Sequence, residues 1–492
     1  MRLEELVAAE VRGARGISST HDAVEIASLA YDSRRVVPGA LFFCVNGFQT
    51  DGHHFAEQAI AAGAVALVVE RPLGLRVPEV LVGSVREAMG PVAVRFYDDP
   101  TSELRVVGIT GTNGKTTVAY LVRALLEAGG ERCGLLGTVK TVIGAAERPA
   151  ARTTPEAIDI QGDFRTMLDE GDRACAMEVS SHALALKRTD GVRFAAAVFT
   201  NLTQDHLDFH ATMEDYFQAK RLLFMPSDPS SQPRLCIVNL SDPYGRRLAD
   251  ELEGTVSYAV DRDADYRADD IRIDLSRSHF SLFTPMGEHK LTLPLPGRFN
   301  VANALAALAT AHSLGGDLDT LLAALERGVR VPGRMEPVKE GQGFAVLVDY
   351  AHTPDSLANV LGAAREVGDG RVICVFGAGG DRDRGKRPQM GEAAARLADV
   401  TLVTSDNPRS EDPEAIIAEI MQGAAGVAGG AAVHVEVDRR AAIEQAVELA
   451  RDGDVLVIAG KGHEQGQEFA GGVKIPFDDV TVAREALGAR VF

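Results

Sequence analysis

Residues 106–117 read Val-Val-Gly-Ile-Thr-Gly-Thr-Asn-Gly-Lys-Thr-Thr, and this stretch limits the fold more than any other. A short apolar run leads into a glycine-rich turn, and the turn opens an amphipathic helix that the pattern carries to Ala128. Such a strand–turn–helix cradles phosphate: backbone N–H groups face the anion, the helix N-terminus adds partial positive charge, and a lysine reaches the outer phosphates. Lys115 takes the lysine position, and Thr116 places a hydroxyl where Mg2+ can be held. The strict G-x-x-x-x-G-K-[ST] spacing fails, because Ile109 stands where the first glycine belongs and the glycines present are Gly108 and Gly111. A plain strand–turn–helix is the competing reading, but it leaves Gly-Lys-Thr-Thr after a strand unexplained.

The other apolar runs place this unit in a larger frame. From the phosphate loop onward they alternate with helical stretches (residues 174–177, 195–199, 235–238, 344–348, 372–376, 400–404 and 455–458), the mark of parallel sheets covered by helices. Shorter mixed strands, such as 40–45 and 65–69, precede them, and a polar turn at 97–102 closes that first stretch. The expected architecture is α/β: a small N-terminal domain (1–103), a central domain with a mostly parallel sheet (104–334) and a C-terminal Rossmann-like domain (335–492). A chain of 492 residues has ample length for this. The net charge of −19 argues against nucleic acid, so any polyanionic substrate must be held by local cations and backbone N–H groups. Apolar runs are too short to span a bilayer, and the N-terminus lacks a signal-peptide core. The five cysteines, at 44, 133, 175, 236 and 374, show no paired spacing, which fits a reducing cytoplasm. A cytoplasmic monomer is expected.

In doubly wound sheets chemistry gathers beyond the C-terminal ends of strands. The strand 174–177 delivers Glu178-Val-Ser-Ser-His182, a carboxylate suited to Mg2+ or to capping a helix. The strand 195–199 delivers Thr200-Asn-Leu-Thr-Gln-Asp-His206 and continues to His210, rich in groups that bind metal or phosphate. Lys220, within Tyr216-Phe-Gln-Ala-Lys-Arg-Leu-Leu-Phe224, reads by itself as an exposed lysine on an amphipathic helix. Asn300 and Asn303 share the first-turn face of an alanine-rich helix, where they cap it or meet a nucleotide. Arg334 stands at the junction of the second and third domains, placed to reach a transferring phosphate or to tie an interface. Four later strands end in Asp349-Tyr-Ala-His352, Gly377 to Pro388, Ser405-Asp-Asn-Pro-Arg409-Ser and Gly460-Lys-Gly-His-Glu464. The alternating Asp and Arg at 381–384, where a G-x-G-x-x-G helix start should be, argue against a dinucleotide fingerprint. A tight Asn-Pro turn with Ser410 capping the next helix accounts for part of the third turn, but not for Arg409.

Six motifs together (Gly108 to Thr117, Met177 to His182, Asn201 to His206, Gly297 to Asn303, Asp349 to Pro354 and Gly460 to Glu464) make the chain resemble the Mur ligase family over essentially its whole length. The displaced glycine of the phosphate loop is that family's form. The resemblance implies a UDP-binding N-terminal domain, a P-loop ATPase domain and an amino-acid-binding domain. It implies ATP-dependent phosphorylation of the terminal carboxylate of UDP-MurNAc-L-Ala-D-Glu, then attack by an incoming amine on the acyl phosphate, in peptidoglycan synthesis. On this resemblance ATP contacts Gly111, Thr112, Asn113, Gly114, Lys115, Thr116, Thr117 and Asn300. Mg2+ falls to Thr116, Glu178, His206 and Lys220, the last as its N6-carboxylated form. Arg334 faces the nucleotide, and Asp349 with His352 lines the closure side. The UDP-MurNAc-dipeptide is assigned to Tyr31, Ser33, Phe48, Gln49, Thr50, Thr153, Thr154, Ser180 and Arg188. Leu186 departs from the family, some of whose members carry a glutamine there, so one contact is lost. Asp406-Asn407-Pro408-Arg409 matches the motif of members that add meso-2,6-diaminopimelate, and Arg382, Gly460 and Glu464 match the rest of that pocket. The chemistry agrees: diaminopimelate is lysine with a second carboxylate at its far end, which an arginine fork grips bidentately. L-lysine or L-ornithine remains the alternative substrate and folylpolyglutamate synthesis a more remote one. A kinase or transport ATPase would not need the loaded strand ends, and a non-catalytic nucleotide-binding module would not need Lys115, Glu178, His206 and Lys220 together.

Overall fold

The computed structural model describes residues 1–7, 24–47, 50–274, 276–368 and 370–490; the expected substrate residues Phe48 and Gln49 lie outside them. Three sheets carry the fold, with a two-stranded ribbon near the C-terminus. In the N-terminal sheet, Ser28–Ala30, Ala40–Phe43, Ala64–Val69 and Glu79–Leu81 lie side by side in chain order, all parallel. Apolar side chains alternate between its two faces, so Leu41, Phe43, Ala66 and Val68 pack on helix Val85–Phe96. Phe42, Cys44, Leu67 and Val69 pack instead on helix Ala56–Ala61.

The central sheet has eleven strands, in the order Gly287–Leu293, Ser278–Thr284, Tyr266–Ile273, Val256–Val260, Leu235–Asn239, Phe194–Phe199, Arg105–Thr110, Ala174–Glu178, Cys133–Leu136, Lys140–Ile143 and Ala146–Pro149. Pairing is parallel between Cys133–Leu136 and Ala174–Glu178, and from Leu235–Asn239 through Val256–Val260 to Tyr266–Ile273. Both outer edges are antiparallel hairpins. The expectation of a mostly parallel sheet thus describes the middle and not the edges. Edge hairpins expose one face to water and use alternating or polar sequences, such as Tyr-Arg-Ala-Asp-Asp-Ile-Arg-Ile, so a search for continuous apolar runs passes over them.

The C-terminal sheet runs Glu336–Pro337, Ala345–Asp349, Val455–Ala459, Val372–Phe376, Val400–Val403 and Ala432–Val435, parallel except for the first pair. Leu347, Cys374, Phe376, Val455 and Val457 join one core with helices Pro354–Val367, Lys386–Leu397 and Pro413–Ala425. Their strand neighbours Val346, Val348, Ile373, Val375, Leu456 and Ile458 join the other core, with helices Arg439–Leu449 and Asp479–Ala489. Alternate residues on each strand therefore feed opposite layers, the packing of a doubly wound sheet. Asp412, not Ser410, caps helix Pro413–Ala425, because its carboxylate accepts the Glu414 N–H while the Ser410 hydroxyl donates 2.6 Å to Asp381.

The chain forms two compact units. One comprises Met1–Gly108, Glu131–Ala197 and Ala219–Arg234, the other Ile109–Gly130, Val198–Gln218 and Leu235–Phe492. Among the described residues no helix is long and apolar enough to cross a membrane.

Candidate active site

The glycines of the phosphate loop divide between packing and backbone geometry. Gly108 lies inside strand Arg105–Thr110, where a Cβ would stand 2.7 Å from the Phe194 ring, so the displaced glycine makes room for an aromatic side chain. Gly111 (φ +149°) and Gly114 (φ +87°) shape the turn; a Cβ on them would come within 1.8 Å of Thr200 Oγ1 and 2.4 Å of Asn303 Oδ1. The loop rests on residues 200–203: the Asn201 carboxamide accepts the Asn113 N–H at 2.9 Å, and Thr200 Oγ1 donates 2.6 Å to the Asn113 carbonyl. Thr112 Oγ1 donates to the Thr203 carbonyl at 3.1 Å. Helix Lys115–Ala128 starts at the predicted lysine, whose Nζ donates to the Gly111 and Thr112 carbonyls at 3.0 and 2.8 Å. Thr116 and Thr117 are buried in its first turn. Asn300 donates to the Pro296 carbonyl at 2.8 Å, while its neighbour Asn303 meets the loop at Gly114.

Arg334 reaches this loop. Its Nη2 donates 3.1 Å to Thr116 Oγ1, and its guanidinium lies 4.7 Å above the centre of the Tyr350 ring. Asp349, the last residue of its strand, accepts the Met335 N–H at 2.7 Å and so fixes the backbone beside Arg334. Burial pushes the Asp349 carboxyl above the ordinary aspartate range, although Arg334 pulls the other way. Asn113 donates 2.9 Å to Asp355, in the first turn of helix Pro354–Val367. Asp205 lies in the singled-out 200–210 turn, although the sequence reading gave it no role of its own. It accepts the His206 N–H at 2.9 Å and lies 3.4 Å from Lys386 Nζ and 3.7 Å from His352 Nε2. Burial alone would raise its carboxyl, but Lys386, His352 and His206 hold it well below the ordinary range. His206 adopts φ +57°, and its ring stands edge-on to Tyr216.

Within the other compact unit, Glu178 ends its strand buried, accepting 2.8 Å from the Thr138 N–H and 3.0 Å from the Thr138 hydroxyl. The Thr138 hydroxyl also contacts Thr153 Oγ1 at 3.1 Å. Thr154 donates 2.9 Å to the Glu178 carbonyl and accepts the Ser180 N–H, while Ser180 caps helix Ser181–Ala185. Arg188 donates to the Thr154 carbonyl and pairs with Glu156 at 3.0 Å. Four expected substrate residues therefore gather around the strand end that carries Glu178. In the N-terminal domain, the Tyr31 hydroxyl donates to Asp159, Ser33 donates 3.2 Å to Gln58, and Thr50 is exposed, its carbonyl accepting the Gly47 N–H. Lys220, which the sequence presents as a surface lysine, is 1% exposed at the end of helix Met213–Arg221.

The four strands with charged turns are adjacent and parallel, so their C-terminal ends open on one edge. Asp406, Asn407 and Pro408 are buried there. Gly460 (φ +115°) admits Asp406, whose carboxylate would stand 2.6 Å from a Cβ. The Asn407 amide donates 2.8 Å to Glu464, and its oxygen accepts from Lys461 Nζ and the Glu468 N–H, each at 2.9 Å. Arg409 (φ +51°) donates from Nε to Glu468 at 3.0 Å and from Nη1 to the Gly380 carbonyl at 2.7 Å. Gly379 lies between two guanidinium-bearing chains, with Arg409 Nη1 3.0 Å and Arg382 Cγ 3.8 Å from where its Cβ would be. Arg382 itself is exposed. Lys461 and Glu468 were missed, although Lys461 sits in the singled-out turn as a lysine between two glycines beyond an apolar strand.

Three family models match successive parts of the chain: "Mur ligase family, catalytic domain" at 25–97, "Mur ligase middle domain" at 109–311 and "Mur ligase, glutamate ligase domain" at 333–462. Curated relatives run nearly its full length. The UDP-N-acetylmuramoyl-L-alanyl-D-glutamate--2,6-diaminopimelate ligase of Geobacillus thermodenitrificans (strain NG80-2) is 47% identical over 95% of this chain and 96% of its own. The protein of the same description from Gloeobacter violaceus is 47% identical over 100% and 99%. A solved structure of a ligase of that description superposes with a TM-score of 0.69 at 34% identity, covering 99% of both chains.

Proposed function

Because this chain belongs to the Mur ligase family, we propose that it is the ATP-dependent ligase that joins meso-2,6-diaminopimelate to UDP-N-acetylmuramoyl-L-alanyl-D-glutamate in peptidoglycan synthesis. One observation carries the reading at the level of the site. The strand edge bearing Asp349, Asp406–Arg409 and Gly460–Glu464 is tied to the phosphate loop by Arg334 on Thr116 and by Asn113 on Asp355. A ligase needs this juxtaposition, because phosphoryl donor and amine must meet one carboxylate. In this reading residues 1–103 hold the UDP moiety, 104–334 the ATP and 335–492 the amino acid.

The reaction transfers the γ-phosphoryl group of ATP to the dipeptide's terminal carboxylate, releasing ADP. The incoming amine attacks the acyl carbon, and phosphate departs as the amine gives up its proton. Positioning and charge neutralisation supply most of the acceleration. Lys115 turns from the Gly111 and Thr112 carbonyls to the β- and γ-phosphates, and Arg334 faces the transferring group from the other side. Asp349 holds the backbone from which Arg334 projects. Thr153, Ser180 and Arg188 take the muramoyl-dipeptide beside Glu178, while Tyr31, Ser33 and the segment 47–50 take the uridine end.

The residues fit Mg2+ in kind: the Thr116 hydroxyl, the Glu178 carboxylate and the His206 imidazole are donors it accepts. On the family resemblance Lys220 joins these donors only in a chemically altered form. An amine is a poor partner for a hard cation. Addition of CO2 to the Lys220 nitrogen, with loss of a proton, gives a carbamate that supplies oxygen donors. When bound, Mg2+ would neutralise phosphate charge.

The test is phosphate release from ATP with meso-diaminopimelate, L-lysine and L-ornithine side by side. Release is expected only with UDP-MurNAc-L-Ala-D-Glu present, and fastest with diaminopimelate. Release without an acceptor, or with folate and glutamate, would sink the reading; preference for lysine would correct the substrate.

A further inference from the structure

Lys461 is fully buried at the edge where the diamino acid is proposed to bind. Its Nζ donates to Asn407 Oδ1 and Glu464 Oε2, each at 2.9 Å, and lies 3.8 Å from Asp406 Oδ1. The neighbouring buried cation, Arg439, directs its hydrogen bonds to a two-pronged pair with the equally buried Asp479 and to the Ala459 carbonyl, while its charge also acts on Asp406 and Glu464. Lys461 is the cation that hydrogen-bonds directly to Glu464 in this turn.

We infer that Lys461 determines selectivity: it biases the subsite toward an amino acid whose distal end is a zwitterion and against one that ends in a bare ammonium. The inference rests on the diamino-acid reading of this edge. Glu468 is paired with Arg409, so the carboxylates that Lys461 itself faces are Asp406 and Glu464. Without Lys461 the subsite carries one more negative charge. Diaminopimelate's distal carbon bears an ammonium and a carboxylate and is neutral overall, whereas the distal end of lysine is a cation. A subsite whose carboxylates are partly neutralised favours the first, and a more anionic one the second. The burial of Lys461 and Asp406 strengthens the bias, because a charge away from water is poorly screened.

Lys461 also sets geometry. It and the Asn407 amide both donate to Glu464 Oε2, which fixes that carboxylate while Oε1 takes part in neither bond. Asn407 is fixed in turn, its oxygen accepting from Lys461 and from the Glu468 backbone. The residue therefore couples the ammonium side of the subsite to the segment that holds Arg409.

The experiment measures kcat/KM for meso-diaminopimelate and for L-lysine, at saturating ATP and UDP-MurNAc-dipeptide, in the wild type and in Lys461→Gln and Lys461→Met, with thermal melts of each. The diaminopimelate-to-lysine ratio is expected to fall about tenfold in the variants, through KM, with KM for ATP within about twofold of wild type. An equal loss for both amino acids would make Lys461 merely structural and overturn the inference, as would an unchanged ratio or failure of both variants to fold. A wild type that takes lysine but not diaminopimelate fails in a different arm, and there the functional reading falls first.

Discussion

At the scale of single residues, types and spacing identified the chemistry, while partners had to come from elsewhere in the chain. Arg409 shows both sides. Its place after Asp406-Asn-Pro marked it as a carboxylate fork, but its orientation depends on Glu468, fifty-nine positions onward. Nε is held by that carboxylate and Nη1 by the Gly380 carbonyl, so the guanidinium is presented in a fixed plane. Arg409→Ala is expected to raise KM for diaminopimelate more than about tenfold, some 1.4 kcal/mol for a lost charge-assisted pair. Arg409→Lys should recover little, because a point charge does not replace a fork. Steady-state kinetics decide it, and an unchanged KM would remove Arg409 from the pocket. Lys220 shows the limit of local pattern: nothing in Gln-Ala-Lys-Arg distinguishes a lysine sealed in the interior from one in water.

At the scale of elements, long apolar strands and glycine turns were legible because burial on both faces writes itself as an unbroken apolar run. The edge hairpins of the central sheet were not, since half of each strand faces water. Charged links between helices were hidden for another reason: their partners lie on different elements. Arg387, at the start of helix Lys386–Leu397, is fully buried and pairs at 2.8 Å with both Glu411 and Glu419, clamping that helix to Pro413–Ala425. The Arg387 guanidinium brings the Glu411 carboxyl down to about 2 from an ordinary 4.5. A carboxyl lowered by folding stabilises above its unfolded value and loses that contribution as pH falls toward the folded one. Urea midpoints of the wild type should therefore drop between pH 5 and 3 more steeply than those of Glu411→Gln. Parallel curves would mean that this clamp does not titrate with unfolding.

At the scale of the molecule, the buried pair of Asp205 and Lys386 joins residues 181 positions apart, linking the loop that carries His206 to the C-terminal sheet's helices. Removing one member leaves the other charge buried with reduced compensation, which in general costs about 3–5 kcal/mol; His352 and His206 beside Asp205 soften it here. Lys386→Met should therefore lower stability by about 2 kcal/mol or more in urea unfolding and slow turnover, because Asp205 also anchors the His206 backbone. Wild-type stability together with wild-type turnover would show the pair to be incidental.

The sequence by itself determined the phosphate loop, the alternation that makes two layered α/β sheets and the family, and it offered the residues here proposed to hold nucleotide, carboxylate and diamino acid. These are readable because they depend on neighbours in the chain: glycine freedom, strand and helix periodicity, and one turn at a time. The tertiary structure alone decided that Gly108 serves a phenylalanine, that Lys220 lies inside, that Arg334 reaches Thr116, and that Lys461 sits among Asp406, Asn407 and Glu464. Each of those depends on burial and on charges brought together from distant positions, and local spacing carries no record of either.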